Sequence, residues 1–448
     1  MRRQLVLGSA ALLTVLAVPA TAAPAGAAFT SLGGHTHSAA RSALRTATYP
    51  MVDRSFGRNG TLQVNVGTRP VDIWTITRSG QRLYIGGNVG AHNVQAVVIA
   101  LHLDGSLVRS FGDRGVSYLG SGYSGVDDMA VQTDGKIVAT TFQRMTVATG
   151  FSERVLRLQA NGRLDPTYGD HGRTLLAHRV MSLAQLSLDG AGRAVVVFAV
   201  DGPRRNIGNT TTKVARLTRT GQIDKRFGTA GVTVAARDHA VPTAMTLDAQ
   251  GRALVAVGGY WDGDPIAPVR LVRLTRTGAV DKTTSYRVQD SDAGSWPTGV
   301  DVDPKGRITL GLTGYTNAAI GVVRLDRSMT LDPTYGQSGS GEFLGTCNVH
   351  CGVTSLLTPW GELFLGATYN KQFTRSDPSY LGQVLPDGSG LDPAFGTAGQ
   401  WSHQFAPQQM EGLVAGVRIG NAMVFVGHTG TYARLATSGA FLTRVRMR

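Results

Sequence analysis

The sequence has few cysteines, few lysines and no long hydrophobic run after its first 28 residues. Its 448 residues include two cysteines, and only six of the 44 basic residues are lysines. No helical periodicity of apolar residues appears after residue 48, so an all-α or α/β fold is not expected. The one apolar run, Leu5 to Val18, is too short for a stable membrane span, so none is expected.

Signature motifs of several enzyme classes are also missing. The sequence contains no G-x-S-x-G, no H-E-x-x-H, no phosphate-cradling loop and no Cys–His pair with a suitable acidic partner. Esterases of the α/β type, zinc metalloproteases and P-loop enzymes are therefore disfavoured. No cofactor is predicted, and an enzyme is the less favoured class of protein.

The first 48 residues read as two segments outside the fold. Residues 1–28 combine two arginines, an apolar run and small residues near Ala20 and Ala22, which is the layout of a signal peptide. Residues 29–48 are rich in Ser, Thr, Gly, Ala and His and predict a flexible lead-in. We therefore expect a secreted, extracellular or cell-surface protein whose folded part is residues 49–448.

The charge is strongly basic, with a formal net charge of +14 and 38 arginines. Outside the cell such a surface favours polyanions as partners, together with extracellular polymers or proteins. Because export is expected, nucleic acid is not. The arginines are spread along the whole chain and not gathered in one run, which favours a basic solvated surface, and a monomer is expected.

One short pattern, an aromatic residue followed by glycine, recurs along the chain every 51 to 60 residues. Its copies are VDRSFGRNG (52–60), LVRSFGDRG (107–115), LDPTYGDHG (164–172), IDKRFGTAG (223–231), LDPTYGQSG (331–339) and LDPAFGTAG (391–399), and VDKTTSYRV (280–288) is a decayed copy. Asp, Pro and Gly are the residues of tight turns, so each copy predicts a turn with one large aromatic side chain.

Each repeat also contains a predicted β-hairpin and two further strands. Two apolar runs flank a turn glycine, as in MAVQTDGKIVAT (129–140), which is the pattern of a hairpin. The seven turn glycines are Gly80, Gly135, Gly192, Gly251, Gly306, Gly361 and Gly420. A third strand such as VARLTRTG (214–221) follows, then the aromatic-glycine turn, then a fourth strand such as GVTVAA (231–236).

Four short antiparallel strands per repeat, seven times over, predict an all-β fold: a seven-bladed β-propeller. The first aromatic-glycine turn and the strand at 60–66 precede any hairpin, and the last third strand, at 432–439, lacks its turn. We therefore expect the N-terminal strand to complete the last blade and close the ring, which removes exposed sheet edges.

The repeat resembles the bacterial delta-60 repeat and is similar in layout to NHL-type propeller repeats. The resemblance rests on the hairpin with its D-G-K/R turn, the A-R-L strand and L-D-P-x-F/Y-G-x-x-G, and it extends from about residue 50 onward. It implies a secreted or surface propeller and supplies no catalytic residue. The stretches at 280–288 and 327–329 depart from the pattern.

An arginine recurs in the third strand, and we expect it to pair with the aspartate of the turn. The arginines are Arg157, Arg216, Arg273, Arg324 and Arg434. A catalytic Asp–Arg pair would not be copied around a ring, so a structural role is predicted.

Function is expected where the repeats differ, in the loops between second and third strands and between units. Two loops, 258–268 and 290–297, belong to consecutive repeats and carry aromatic and acidic residues suited to sugar stacking or Ca²⁺ binding. The candidate ligand-binding residues are Trp261, Asp262, Asp264, Asp290, Asp292 and Trp296. The alternative is that Asp and Gly form turns here and Trp packs the loop.

Cys347 and Cys351 lie in the sequence CNVHC. In an exported chain a disulfide between them is the simplest expectation. A zinc site with His350 is the alternative, although no fourth ligand is evident.

These observations predict a binding or interaction propeller for an extracellular carbohydrate, cell-wall polymer or protein. The alternative is an extracellular propeller enzyme acting on carbohydrate, such as a lyase, a glycosidase or a quinoprotein dehydrogenase.

Overall fold

The described part of the chain consists almost entirely of short antiparallel strands. The computed structural model describes residues 49–447, and within 346–377 it describes strand backbone only. Outside the description lie residues 1–48, 91–93, 121, 147–149, 181–183, 202–209, 238–239, 260–267, 287–294, 315–318, 347–349, 352–353, 359–360, 370–377, 406–409, 432–433 and 448. No described segment forms a helix long and apolar enough to cross a membrane.

For description we assign the strands to seven units that follow the repeats of the sequence, numbered along the chain. Two N-terminal strands, β1 (Met51–Val52) and β2 (Thr61–Val64), come before unit 1. Unit 1 contains β3 (Val71–Ser79), β4 (Arg82–Val89), β5 (Gln95–His102) and β6 (Val116–Tyr118). Unit 2 contains β7 (Ser124–Val131), β8 (Ile137–Thr146), β9 (Gly150–Leu158) and β10 (Arg173–Val180). Unit 3 contains β11 (Gln185–Leu188), β12 (Ala194–Val200), β13 (Thr211–Leu217) and β14 (Val232–Ala236).

The remaining units continue the same order. Unit 4 contains β15 (Ala240–Leu247), β16 (Ala253–Gly259), β17 (Val269–Leu274) and β18 (Val280–Tyr286). Unit 5 contains β19 (Ser295–Val302), β20 (Ile308–Gly314), β21 (Ala319–Leu325) and β22 (Glu342–Thr346), with a 3₁₀ turn at Gln337–Gly339. Unit 6 contains β23 (His350–Cys351), β24 (Thr354–Thr358), β25 (Gly361–Tyr369), β26 (Ser379–Val384) and β27 (Gln400–His403). Unit 7 contains β28 (Met410–Ile419), β29 (Ala422–Thr431) and β30 (Arg434–Arg446).

The units are arranged as in a propeller. Their first strands contact one another in the order β3, β7, β11, β15, β19, β24 and β28, and β28 contacts β3 again. The core is therefore divided into clusters that lie between neighbouring units, such as the one that joins Val424 and Val426 of unit 7 to Ile73 and Ile85 of unit 1. Second strands such as β12 are apolar throughout because both of their faces are covered.

The sequence predicted seven separate sheets, and the structure differs from that prediction. The described residues form six hydrogen-bonded sheets, because units 2 and 3 share one eight-stranded sheet. The connection is a single pair, Val180 of β10 with Val200 of β12. The fourth strand of unit 2 has several register shifts against β9, which allow its end to reach the next unit.

The N-terminal strands pair with the last strand, but with a different segment from the one expected. Thr61 pairs with Thr443 and Val64 with Ala440, and β1 pairs with Arg446 and Val445. The prediction that 432–439 is the repeat's third strand was therefore wrong. Residues 440–446 take that place.

The predicted arginine–aspartate pairs are present at the aromatic-glycine turns. The pairs join each Arg Nε to the Asp Oδ2: Arg157–Asp165 at 2.9 Å, Arg216–Asp224 at 2.9 Å, Arg273–Asp281 at 2.5 Å, Arg324–Asp332 at 2.8 Å and Arg444–Asp53 at 2.8 Å. Arg444 thus takes the role that the sequence assigned to Arg434. In four of these pairs the guanidinium also lies over the turn's aromatic ring, as Arg324 does over Tyr335 at 4.2 Å.

Two units lack this pair: unit 1 has neither charged residue, whereas unit 6 keeps the aspartate and lacks the arginine. In unit 1 the two positions are Ala100 and Val108, whose backbones are hydrogen-bonded in the same way as those of Arg157 and Asp165. Losing both charges avoids leaving one charge buried without a partner. In unit 6 the arginine is replaced by Gln383, whose Nε2 lies 3.3 Å from Asp392 Oδ2.

The described part of the decayed copy at 280–288 is a strand and not a turn. Val280–Tyr286 forms the fourth strand, β18, and Asp281 still accepts a hydrogen bond from Arg273. The aromatic of this turn is therefore absent. At five of the other turns that ring packs on a turn glycine of the next unit, as Phe227 does on Gly278. Here the next unit has Met329, which is buried, and the Tyr286 hydroxyl donates to its carbonyl oxygen. The two departures from the repeat compensate for one another.

Candidate functional site

The antiparallel topology gives the protein two faces. The strand ends that flank the hairpin turns, and the aromatic-glycine turns where they are present, lie at one end of the units, which we call the corner face. The strand ends from which the chain passes from second to third strand and from unit to unit lie at the opposite end, which we call the loop-bearing face.

Of the six predicted ligand-binding residues, one lies within the described part of the chain. Trp261, Asp262, Asp264, Asp290 and Asp292 lie outside the described residues. Trp296 is the second residue of β19 and is half-buried, with its ring against Gly258 of β16 in unit 4. A side chain at 258 would collide with that ring, so glycine is required there. The described ends of the two predicted loops are therefore in contact.

The predicted disulfide falls outside what the structure describes. Cys347 is not described, and of Cys351 only the backbone is described, in the pair with Thr368 of β25. The disulfide remains a prediction, as does the alternative zinc site with His350.

A cluster of four aromatic side chains lies at the loop-bearing end of units 1 and 2, and we call it the aromatic platform (Trp74, Tyr123, Phe142 and Phe151). Ring centroids are 5.6 Å apart for Trp74 and Phe142, and 5.7 Å apart for Phe142 and Phe151. The Tyr123 ring lies about equally far from both phenylalanines, at 6.1 and 6.0 Å. Tyr123 is 39% exposed, so its ring forms the solvent face of the platform.

Local backbone geometry brings Trp74 to this position. β3 contains a β-bulge between Ile73 and Thr75, and a bulge redirects the side chain of its extra residue. The Trp74 ring then reaches unit 2 at Gly125, where a Cβ atom would lie only 2.3 Å from it. Glycine is therefore required at position 125 for the Trp74 ring to reach unit 2.

Polar groups flank the exposed ring. Nε2 of His428, from unit 7, lies 2.9 Å from Oδ1 of Asp72 in unit 1. Burial opposes the charge on this imidazole, but the Asp72 carboxylate outweighs it and raises the pKa of His428. Burial and the charge of Asp72 also raise the pKa of Tyr123, so its hydroxyl stays a neutral hydrogen-bond donor.

A pair of buried carboxyl groups lies beside the platform. Glu153 of β9 is directly opposite Phe142 of β8, so the two side chains share one side of the sheet. Glu153 is 0% exposed, and Asp127, at the bulge of β7, is 6% exposed. The two carboxyl groups interact with each other, and because both are buried the pair retains a proton.

Little else compensates this pair. The backbone N–H of Thr141 lies near Glu153, and that of Ala184 donates to Asp127 Oδ2 at 3.4 Å. No other donor in the described part of the chain reaches either Glu153 oxygen or Asp127 Oδ1. Burial, reinforced by the neighbouring carboxyl, raises the pKa of Glu153 well above its usual range, and burial does the same for Asp127.

Asp128, the next residue, connects three units. Its Oδ1 accepts from the Thr75 hydroxyl of unit 1 at 3.0 Å, and its Oδ2 accepts from the Leu186 N–H of unit 3 at 2.9 Å. Burial raises the pKa of Asp128 to about 6 although these donors favour its charged form. This carboxyl is a structural tie between units.

The described residues show no group of three or more His, Cys, Asp or Glu side chains placed to hold a metal ion. The acidic residues proposed for Ca²⁺, such as Asp262 and Asp290, lie outside the described residues. Calcium at those loops remains a prediction.

Sequence reasoning missed the carboxyl pair, although one signal was available. Glutamate is rare in this chain, and Glu153 lies in the strand FSERVLRL (151–158), where the residues that follow are mainly apolar. Asp127 occupies a position that is Thr243 in unit 4 and Thr298 in unit 5. An acidic residue at a position where repeats otherwise have uncharged ones marks a place where the units differ.

One part of the chain matches a family model. Residues 132–168, from the hairpin turn of unit 2 to the aromatic of its turn, match "Domain of unknown function (DUF5122) beta-propeller". No curated protein matches the chain.

Solved structures match the chain at low identity and low TM-score. A protein of unknown function from Dyadobacter fermentans is 9% identical with a TM-score of 0.42, over 87% of this chain and 100% of that one. A GH43 endo-arabinanase from Bacillus licheniformis is 11% identical with a TM-score of 0.34, over 71% and 92%. A GH43_1 enzyme from Xanthomonas citri, complexed with xylose, is 13% identical with a TM-score of 0.32, over 55% and 81%.

The sheets and the family match agree on the architecture. The chain is an all-β protein with a propeller arrangement, and a stretch of its second unit is similar to the DUF5122 beta-propeller family.

Proposed function

We propose that this protein is a secreted binding module that takes an extracellular carbohydrate or cell-wall polymer on its loop-bearing face. The observation that carries the proposal is the aromatic platform with its exposed Tyr123. The corner face is occupied by repeated Arg–Asp pairs, whereas the four residues of the platform do not belong to the repeat pattern and lie where the units differ. A part that is not repeated is the better candidate for a specific task.

The chemistry of the platform suits a sugar. The face of a pyranose ring is apolar and stacks on an aromatic ring, while its hydroxyl groups need donors and acceptors at the edge. Tyr123 offers the ring, and the Asp72–His428 pair offers both an acceptor and a donor nearby. The predicted residues Trp261 and Trp296 would add a second stacking surface at units 4 and 5.

Tyr123→Ala tests the platform directly. Purified protein lacking residues 1–28 is screened against immobilised glycans and cell-wall polymers, and the best probe is titrated. The variant is expected to bind at least about tenfold more weakly, since stacked aromatic rings are frequent centres of binding energy. Tyr118→Ala is the matched control, because Tyr118 is similarly exposed at 36% but lies on the outer strand β6.

Equal binding by Tyr123→Ala and the native chain would remove the platform from the proposal. Loss in Trp261→Ala or Trp296→Ala alone would move the site to the loops at 258–268 and 290–297. Equal loss in both tyrosine variants would indicate non-specific adhesion.

The second candidate is an extracellular enzyme acting on carbohydrate. The raised pKa values of Asp127 and Glu153 favour it, because a general acid must hold a proton near neutral pH. Against it, Glu153 is fully enclosed and a catalytic acid must reach its substrate. Release of reducing sugar or unsaturated product from polymers that bind, abolished by Glu153→Gln, would favour the enzyme.

We also propose that the ring has seven blades of the delta-60 type, with units 2 and 3 as two blades. The closed order of first strands and the seven turn glycines support this count. An experimental map with six or eight sheets around the axis would contradict it.

A further inference from the structure

Three arginines on the corner face occupy the same position in consecutive units. Arg219, Arg276 and Arg327 each lie in the turn after the third strand, in units 3, 4 and 5. The backbone carbonyl oxygen of each accepts a hydrogen bond from Nη1 of the buried arginine of the preceding unit, at 2.6, 2.6 and 2.7 Å. One repeated contact therefore fixes all three positions.

The side chains point outward in the same manner. Arg276 and Arg327 are exposed, and the side chain of Arg219 is 54% exposed. Each stem lies next to the hairpin-turn glycine of its own unit: a Cβ at Gly192, Gly251 or Gly306 would be 3.8, 3.7 or 3.5 Å from it. We call these three residues the arginine row.

Most carboxylates around the arginine row are already engaged. The hairpin aspartates pair with the arginine four residues later at 2.6–2.7 Å: Asp189–Arg193, Asp248–Arg252 and Asp303–Arg307. The turn aspartates pair with the buried third-strand arginines.

Two acidic groups remain close to the row. Asp134 Oδ2 lies 3.5 Å from Arg219, and Asp326, next to Arg327, accepts the backbone N–H groups of Ser328 and Thr330. Among the described residues, no carboxylate is paired with Arg276 or Arg327. The row therefore has positive charge without full compensation.

We propose that the arginine row binds a linear acidic polysaccharide across units 3 to 5. A guanidinium binds a carboxylate or sulfate through two parallel hydrogen bonds and stays charged at all relevant pH values. One exposed guanidinium per unit, on a backbone position fixed by the same contact, fits a polymer with repeated anionic groups better than a single small anion. This site is on the face opposite the aromatic platform and does not depend on the proposed function.

The chain itself suggests a variant that should fold. Ala160 of unit 2 holds the position of the row, two residues before the glycine of its turn and next to Gly135. Alanine is thus already accepted there. Because the interunit hydrogen bonds end on backbone oxygens, the triple variant Arg219→Ala, Arg276→Ala, Arg327→Ala should retain them and melt like the native chain.

The control removes the same charge elsewhere. Arg54, Arg58 and Arg109 are also exposed at aromatic-glycine turns, but in units 7 and 1. The control variant is Arg54→Ala, Arg58→Ala, Arg109→Ala. Polygalacturonate is titrated into the native chain, the row variant and the control variant at several salt concentrations. Dextran sulfate, duplex DNA and neutral dextran serve as comparison probes.

The row variant is expected to bind polygalacturonate at least about tenfold more weakly, and the slope of log affinity against log salt should fall by up to about three. The control variant should change less than about threefold, and neutral dextran should not bind. Equal weakening in both variants would show that net charge alone acts, and unchanged binding in the row variant would overturn the proposal. Tighter row-dependent binding of DNA than of either acidic polysaccharide would also overturn it. Preference for dextran sulfate over polygalacturonate would keep the site and identify sulfate as its anion.

Discussion

The buried Asp127–Glu153 pair makes a specific prediction about stability against pH. In the folded protein the pair retains a proton that the unfolded chain releases near the ordinary pKa of glutamic acid. A group whose pKa is raised by folding stabilises the fold below its unfolded pKa, and that contribution is lost as pH rises towards the folded pKa. The native chain should therefore lose about 1.4 kcal/mol of unfolding free energy per pH unit over this range.

Glu153→Gln removes the titration while keeping a hydrogen-bond donor for Asp127. Near about pH 4 the variant and the native chain should have similar free energies of unfolding. Above that pH the free energy of unfolding of the native chain should decrease relative to the variant by about 1.4 kcal/mol per pH unit while the pair holds its proton. Other groups, including Asp128 with its pKa raised to about 6, are present in both proteins and cancel in the difference.

Urea unfolding at several pH values, followed by tryptophan fluorescence, measures the difference, and equal m-values would show that the same surface is exposed. Asp170→Asn is the control, because the side chain of Asp170 is 90% exposed. Its pH profile should follow that of the native chain. Parallel profiles for Glu153→Gln and the native chain would refute the shared proton.

Two further predictions concern ring closure and turn packing. Arg444→Ala should destabilise the fold by about 2–4 kcal/mol by leaving Asp53 with Arg446 as its remaining side-chain cation. Burial raises the pKa of Asp53, but hydrogen bonds from Ser55 and Arg446 and the charge of Arg444 lower it to about 2. The native advantage should therefore be present above pH 4 and shrink as pH falls towards about 2, as acid titrations of both proteins would show. Gly221→Ala should lower the free energy of unfolding by about 2 kcal/mol or more, since its φ is +85° and a Cβ would lie 2.6 Å from the Tyr168 ring. The control is Gly190→Ala, where no atom lies within 4 Å of the new Cβ. It should cost less than about 1 kcal/mol in the same denaturation assay.

The sequence predicted most where residues repeat. The Arg–Asp pairs were expected because both partners recur at fixed spacing, and four of the five expected arginines form them. The error was Arg434: YARL (432–435) resembles the repeat, but the N-terminal strand and Asp53 pair with 440–446. That choice depends on a contact between the two ends of the chain, which local pattern does not contain.

The candidate site was less accessible to sequence reasoning. The platform combines Trp74, Tyr123 and Phe142 from two units, and it depends on a bulge and on Gly125. None of these residues belongs to a motif. The carboxyl pair likewise becomes visible only when the register places Glu153 on the side of Asp127. In both cases the relevant distance lies across strands and units, while the repeat describes one unit alone.

The pairing of β2 with β30 has a consequence for how the chain folds. Thr443 donates to the carbonyl oxygen of Gly60 across 383 positions of sequence, whereas the contacts within a unit connect residues tens of positions apart. Bringing such distant segments together costs about 1.5 kcal/mol more chain entropy than joining segments about 60 residues apart. The final sheet can assemble only after the last residues have been synthesised, so a nascent or truncated chain carries open strand edges that invite pairing with other molecules.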